Sequence, residues 1–459
     1  MAIDTESVQR GAQQHLWMPN RDWTRMGEEG GPIVVVSGEG VKVTDSEGKT
    51  WIDVNGGSGS VNVGYGRNEI VEAAYKQALT LSFRPQQTTT EASVRLVEKL
   101  AQITPGKLSR SFPVSGGSEA VETAIKIARS YHGRRGDKSR YKIVSRRGSY
   151  HGATAATIWL GGDDNKKRED YEPSPTGLIY VPQPNPYHCE FGAQTTSECA
   201  VKCAEAVEQQ MLFHNPDTVA AFIGEPVSTS QGASVPGDEY WPMVREICTK
   251  YGVLLIADEV VTGFGRTGKM FGSEHWKLEP DIMAVAKGIV SGYVPLGAAI
   301  ATEEVAGVFA GEGREFRHGF TNMGHPVAAA AGLKNIEIIE SEGLVENSAV
   351  VGAYFKEQLE GLMLDHAIIG DVRGIGMIVA AELVSDKETK AGFEPDLKIA
   401  ELLNEGFKKH GLLYHVSGTG VLSMNPALCI TKDEVDEIVH AVDLTLWEVE
   451  GKLGLAKSL

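Results

Sequence analysis

The chain has 459 residues, 42% hydrophobic and 23% charged, an ordinary globular mix that excludes disorder, collagen and coiled coil. Length alone suggests roughly three domain equivalents, enough for a large core and a site built between domains. A formal net charge of −17 makes nucleic acid and anionic membrane poor partners.

The N-terminal run MAIDTESVQRGAQQH is polar and has no signal-peptide core. No apolar run approaches the ~18–20 residues of a membrane span. Five cysteines, at 189, 199, 203, 248 and 429, include no CxxC pair. That set fits a reducing compartment, and the chain reads as cytoplasmic. Residues 33–54 predict short strands joined by turns at Gly38/Gly40 and Asp45–Gly48. Residues 91–103 carry helical spacing through Val94, Val97, Leu100 and Ile103. Beyond about residue 110 the pattern alternates. SEAVETAIKIARSY, TSECAVKCAEAVEQQMLF and DEYWPMVREICTKYG read as helices, and YKIVS, VAAFIGEPV, VLLIADEV and DIMAVAK as strands. The last two are continuous apolar runs, as expected of strands buried on both faces of a parallel sheet. The alternation predicts an α/β layer fold with a mostly parallel sheet flanked by helices.

The last third mixes helices (VAAAAGLKNIEIIE, VVGAYFKEQLEGLML) with short strands (GMIVAAELV, GLLYHV, GVLSMN). A final helix follows Thr431-Lys432-Asp433-Glu434, a capping-box sequence. The expected division is a large domain at 56–325 and a smaller α+β domain formed by 1–55 with 326–459.

Several stretches carry chemistry. Gly263-x-Gly265-x-x-Gly268-Lys269 approaches both a dinucleotide loop and a P-loop. Met270 cannot replace the Ser or Thr that holds Mg²⁺, and the surrounding strand–turn–helix context is missing, so a glycine-rich turn is the better reading. Ser115-Gly116-Gly117-Ser118 opens a helix, where exposed N–H groups can hold a phosphate. The bland alternative is that Ser118 is only an N-cap. Asp258 ends one apolar strand and Lys287 ends another, and strand ends are where α/β proteins place ligands. Either charge alone would pass for an ordinary paired one. Together the three features are what pyridoxal phosphate needs: a phosphate cup, a carboxylate for the ring nitrogen and a lysine for the aldehyde.

The stretches LLIADEVVTGFGRTGKMF…EPDIMAVAKGI, FPVSGGSEAVETAIKIAR, GSYHG, GEPV and HGFTNMGHPVAAAA occur in an order that resembles the class III aminotransferases, fold-type-I pyridoxal-phosphate enzymes. The resemblance spans nearly the whole chain. It implies that Lys287 is the Schiff-base lysine and Asp258 the partner of the ring nitrogen. Val260 and Tyr150, of Tyr150-His151-Gly152, would flank the ring. His151 belongs to the same cofactor-binding set, and Gly117 and Ser118 match the phosphate cup. Thr321 matches a residue that reaches the phosphate of the other subunit, implying a homodimer, and Glu225 an acid near the aspartate. DEVV and VNVGYGR resemble the amine and ω-amino acid:pyruvate branch, implying ping-pong transfer from an amine donor to a keto acid.

Three positions depart from that branch. Gly59 and Gln86 stand where aromatics are common, which implies a roomier, more polar cleft. His415, in GLLYHVSGT, holds the place of an arginine that clamps the acceptor's carboxylate. The same scaffold also serves decarboxylases, racemases and 2,1-aminomutases, and a non-catalytic cofactor binder is a rival of another class. His188, Cys189, Cys199 and Cys203 fit no zinc spacing, so no metal is expected. Cys199 and Cys203, one turn apart on an amphipathic helix, read as core. Trp17 and Trp23 either line the substrate mouth or anchor the N-terminal segment.

Overall fold

The runs Leu254–Asp258 and Ile282–Val285 lie side by side as parallel strands in the middle of a seven-stranded sheet. The computed structural model describes residues 3–19, 22–85, 87–162, 168–416, 418 and 420–455. In chain order the strands are β1 (Val35–Glu39), β2 (Lys42–Asp45), β3 (Thr50–Asp53), β4 (Leu108–Val114), β5 (Lys142–Arg146), β6 (Leu178–Val181), β7 (Val219–Gly224), β8 (Leu254–Asp258), β9 (Ile282–Val285), β10 (Gly297–Thr302), β11 (Ile369–Ile375), β12 (Ile378–Leu383), β13 (Leu412–Leu413) and β14 (Val421–Met424). The large sheet runs β4-β10-β9-β8-β7-β5-β6. β9, β8, β7, β5 and β6 are parallel, and β10 is antiparallel to both of its neighbours.

Both faces of this sheet are covered, which is why its strands read as uninterrupted apolar runs. Ala221 and Ile223 of β7 pack with Ala120 and Ala124 of the helix Gly117–Arg135. Phe222 packs on the other side with Trp241 and with Cys199 and Cys203 of the helix Thr196–Phe213. The predicted helices at 91–103 and 196–213 form as Glu91–Ile103 and Thr196–Phe213. The parallel register Asp258↔Ala284 carries the ends of β8 and β9 to the same edge of the sheet.

β13 pairs in parallel with β3, in the register Leu412↔Ile52, so the N-terminal strands and the C-terminal third share one four-stranded sheet. A second small sheet runs β11-β12-β14. The last helix, Lys432–Leu453, is capped as the sequence indicates. Thr431 Oγ1 accepts from Glu434 N–H at 3.2 Å, and Glu434 Oε2 accepts from Thr431 N–H at 2.9 Å.

Candidate active site

Asp258 is almost fully buried, and both its oxygens are engaged. Oδ2 lies 2.7 Å from His151 Nδ1, and Oδ1 accepts from Val260 N–H at 3.0 Å. Such bonds keep a buried carboxylate in one orientation and leave it lone pairs for a further donor. His151 is therefore behind the carboxylate, as its support. Glu225 stands behind His151, with Oε2 4.0 Å from Nε2. It also accepts from Tyr150 N–H at 3.1 Å and from Arg146 Nη2 at 2.8 Å. Burial alone would raise the Glu225 carboxyl. His151 and Arg146 outweigh burial and hold it down, from an ordinary 4.5 to about 2. Arg146 is fully buried at the end of β5.

Lys287 lies two residues past β9 with φ +46°, a left-handed backbone that costs a non-glycine residue roughly 1–3 kcal/mol. Its surroundings enforce it. Val290 and Ser291 N–H both bond the Lys287 carbonyl, and Asn335 Nδ2 holds the Gly288 carbonyl at 2.8 Å. A Cβ on Gly288 would meet Asn62 Nδ2 at 2.4 Å, so glycine is required there. Lys287 Nζ donates to the carbonyl of Ser58 at 2.7 Å. That brings the loop after β3 onto the lysine, and Gly59 beside it has φ +70° and would place a Cβ 3.3 Å from Val261 Cγ1.

The helix Gly117–Arg135 starts without a side-chain cap, and a Cβ on Gly116 would meet nothing within 4 Å. A helix start of that kind, facing open space, is a fit cradle for a phosphate. A Cβ on Gly117 would stand 2.9 Å from Val260 Cγ1 and 3.7 Å from Ala286 Cβ. One glycine thus touches the residue two past Asp258 and the residue before Lys287. Ser118 Oγ accepts from Ala153 N–H at 3.1 Å, tying the Tyr150-His151-Gly152 loop to the same helix start. The phosphate cradle, carboxylate and amine converge, so the residues present fit pyridoxal phosphate.

The remaining expected positions lie as follows. Tyr150 is 43% exposed beside this cluster. Thr321 is exposed on the turn before the helix Pro326–Ser341. His415 is exposed two residues past β13, whose parallel pairing with β3 points it toward the end of the sheet that bears the Gly59 loop. Gln86 lies outside the described residues. Trp17 and Trp23 meet edge-to-face at 5.1 Å and are both exposed. GFGRTG is a series of turns whose Arg266 is fully buried, bonding Asn62 Oδ1 at 2.6 Å and the Asn425 carbonyl at 3.0 Å. Burial pushes that guanidinium down to about 9. His188 is turned to Glu382, while Cys189 joins Cys199 and Cys203.

Sequence reasoning missed Arg146, Arg266 and Glu259. Glu259 is buried, with its carboxylate bonded by Gly272 N–H, Ser273 N–H and the hydroxyls of Ser273 and Thr262. Burial nonetheless leaves its pKa raised. The available signal was charge inside otherwise apolar or turn segments.

Residues 25–446 match the family model for class III aminotransferases. A putrescine–pyruvate aminotransferase of Pseudomonas aeruginosa is 37% identical over 95% of this chain and 94% of its own length. A thermostable (S)-enantioselective ω-transaminase from Thermomicrobium roseum is 38% identical, covers 98% of this chain and 99% of its own, and superposes with a TM-score of 0.93. A thermostable ω-transaminase with a tryptophan replaced by glycine, engineered for asymmetric synthesis of enantiopure bulky amines, is 33% identical with a TM-score of 0.92, over 97% of this chain and all of its own. The chain belongs to the class III aminotransferases. It is a pyridoxal-phosphate-dependent aminotransferase of the fold-type-I architecture.

Proposed function

We propose that this enzyme moves an amino group from an amine or ω-amino acid to a pyruvate-like keto acid, in two half-reactions at the site around Lys287 and Asp258. The observation that carries the reading is the convergence at Gly117, which brings the helix start, the Asp258 strand and the Lys287 strand within van der Waals reach. Pyridoxal phosphate, when bound, supplies an aldehyde that links to amines and a ring that draws electrons from the bond being broken. The protein's part is binding and proton placement. The helix start and Ser118 hold the phosphate. Asp258, fixed by His151 and Val260 N–H, keeps a proton on the ring nitrogen. Val260 and Tyr150 flank the ring. Lys287 Nζ would hold and move the proton taken from the donor's α-carbon. Glu225, pinned by Arg146, keeps His151 and the Tyr150 backbone in place.

Residues 56–325 form the cofactor-binding body in this reading, and 1–55 with 326–459 the smaller domain. The active unit is a homodimer. The helix Asn68–Thr80 leaves Val71, Tyr75 and Leu79 exposed on one stripe, continued by Leu81 and Phe83. Contiguous apolar surface of this kind marks an interface. Phe83 packs 5.4 Å from His325, and Arg84 Nη2 donates to the Met323 carbonyl at 3.0 Å, so the stripe runs into the turn bearing Thr321. Thr321 then serves the neighbouring chain's phosphate. No helix among the described residues is long and apolar enough to cross a membrane, and the free, sparse cysteines fit a reducing cytoplasm.

Gly59 puts no side chain next to Ser58, whose carbonyl bonds Lys287 Nζ, and a relative with an engineered glycine for tryptophan was made for bulky amines. The donor of this enzyme is accordingly a bulky amine. Mixing enzyme with a panel of amines and following the cofactor's absorbance tests this. A spectral change with bulky amines, reversed by pyruvate, is expected. No change with any amine, or a change that pyruvate does not reverse, would exclude it.

A further inference from the structure

The three comparatively remote cysteines Cys189, Cys199 and Cys203 come together at the edge of the large sheet. All three Sγ atoms lie within 4.8 Å of one another, and Cys199 Sγ and Cys203 Sγ are 4.0 Å apart. Cys199 and Cys203 project from successive turns of the helix Thr196–Phe213 and are fully buried. Cys189 comes from the loop after β6 and is only partly covered. β6 is the edge strand, three strand spacings or about 14 Å from β8 and Asp258, so the thiols lie apart from the cofactor site.

We propose that Cys189, Cys199 and Cys203 form a binding site for one soft, thiophilic d¹⁰ cation of the Zn²⁺ class. A tetrahedral ion with bonds of ~2.3 Å needs its sulfurs about 3.8 Å apart, so the thiols need to close by at most about 1 Å. Sulfur-only donors select soft cations over Mg²⁺ or Ca²⁺. Two features around the thiols fit an ion better than core packing. Cys189 begins a tight turn, in which its carbonyl accepts from Gly192 N–H at 2.9 Å and Gly192 adopts φ +61°. That turn carries the chain back so that the Cys189 sulfur lies with those of Cys199 and Cys203. The second feature is Gln183. Its carbonyl takes the Cys203 thiol at 3.6 Å, and its side-chain amide is buried with neither polar atom bonded. That is buried polar capacity on the residue whose backbone carbonyl meets the Cys203 sulfur. Each thiol would pass its proton to solvent as its bond to the ion forms, and the partly exposed Cys189 is the way in. His188 does not join, because Nε2 is held by Glu382 at 2.5 Å. The ion would staple the loop after β6 to the helix Thr196–Phe213.

The test uses the cofactor-loaded enzyme, reduced with a phosphine and titrated anaerobically with Cd²⁺. The readouts are the ultraviolet thiolate-to-cadmium charge-transfer band and native mass spectrometry. One ion per chain is expected, and Cd²⁺ should displace Zn²⁺ added beforehand. Losing an outer-shell partner alone costs 10–100-fold, so Cys189→Ala should weaken binding by more than about 100-fold. Cys429→Ala, outside the cluster, should leave it unchanged. No band at saturating Cd²⁺, or a band that survives Cys189→Ala, would overturn the site. The wild-type enzyme gives a second reading that does not depend on any variant folding. Zn²⁺ should slow iodoacetamide alkylation of Cys189 while leaving Cys429 unaffected, and an unchanged Cys189 rate refutes the proposal.

Discussion

Replacing Arg146 with Met tests whether the pair behind Asp258 is held by charge. Arg146 Nη2 donates to the backbone carbonyl of Glu225 at 2.5 Å and to its Oε2 at 2.8 Å. The guanidinium also lies 5.3 Å from the Trp241 ring and 5.9 Å from that of Tyr240. Without it Glu225 keeps Tyr150 N–H at 3.1 Å and the Ser228 hydroxyl at 3.4 Å, but its buried charge loses its guanidinium partner. Breaking a buried pair by removing one partner costs about 3–5 kcal/mol. The Glu225 carboxyl gives a consistent figure. Net of the burial that opposes it, depression from 4.5 to about 2 is worth about 3 kcal/mol, to which His151, Arg146 and backbone hydrogen bonding contribute. Because the folded value lies below the unfolded one, this stabilisation is complete above about pH 4.5 and drains away as pH falls toward 2. Arg146→Met and Glu225→Gln should each destabilise by about 3–5 kcal/mol at neutral pH. The double variant should fall short of their sum by about 1–3 kcal/mol. Urea unfolding of the cofactor-loaded proteins, followed by circular dichroism, measures all four corners of the cycle. Losses that add to within about 0.5 kcal/mol would show that the two side chains do not act as a pair.

Lys287→Ala should fold but lose turnover and the borohydride-reducible attachment of cofactor, and a labelled Lys287-free adduct would contradict its role. Asp258→Asn should retain cofactor yet slow the amine half-reaction by ~10²–10³-fold in stopped-flow absorbance, since a preorganised charge is removed. Mixing Thr321→Ala with Lys287→Ala subunits should restore activity, because one site collects both defects and the other is intact; mixtures no better than the parents would exclude a shared site. Imidazole loses its proton between about pH 5 and 8 whereas guanidinium does not, so acceptor KM should rise across that range, and His415→Arg should lower and flatten it. A flat profile with a silent His415→Ala would remove His415 from the acceptor site.

The sequence by itself determined whatever depends on near neighbours. Continuous apolar runs leading to Asp258 and Lys287 read as strands covered on both faces and formed as such, and the helix Thr196–Phe213 and the Thr431–Glu434 cap formed where spacing and capping chemistry put them. The tertiary structure decided the rest. β10, whose run GAAIAT has little side-chain pattern, is set antiparallel by its pairing with β9 and β4. Arg146 looks like any charge at a strand end until folding brings it to Glu225, 79 positions away. The left-handed Lys287 is followed by a Gly288 whose carbonyl Asn335 holds and whose missing side chain Asn62 requires, partners that no local pattern connects to it. Cys189 has no zinc-motif spacing to Cys199 and Cys203, yet the turn at Gly192 returns its sulfur to theirs. Periodicity reports only which face of an element is buried, whereas a site is made of partners that meet because whole elements pack, and packing is decided by the chain as a whole.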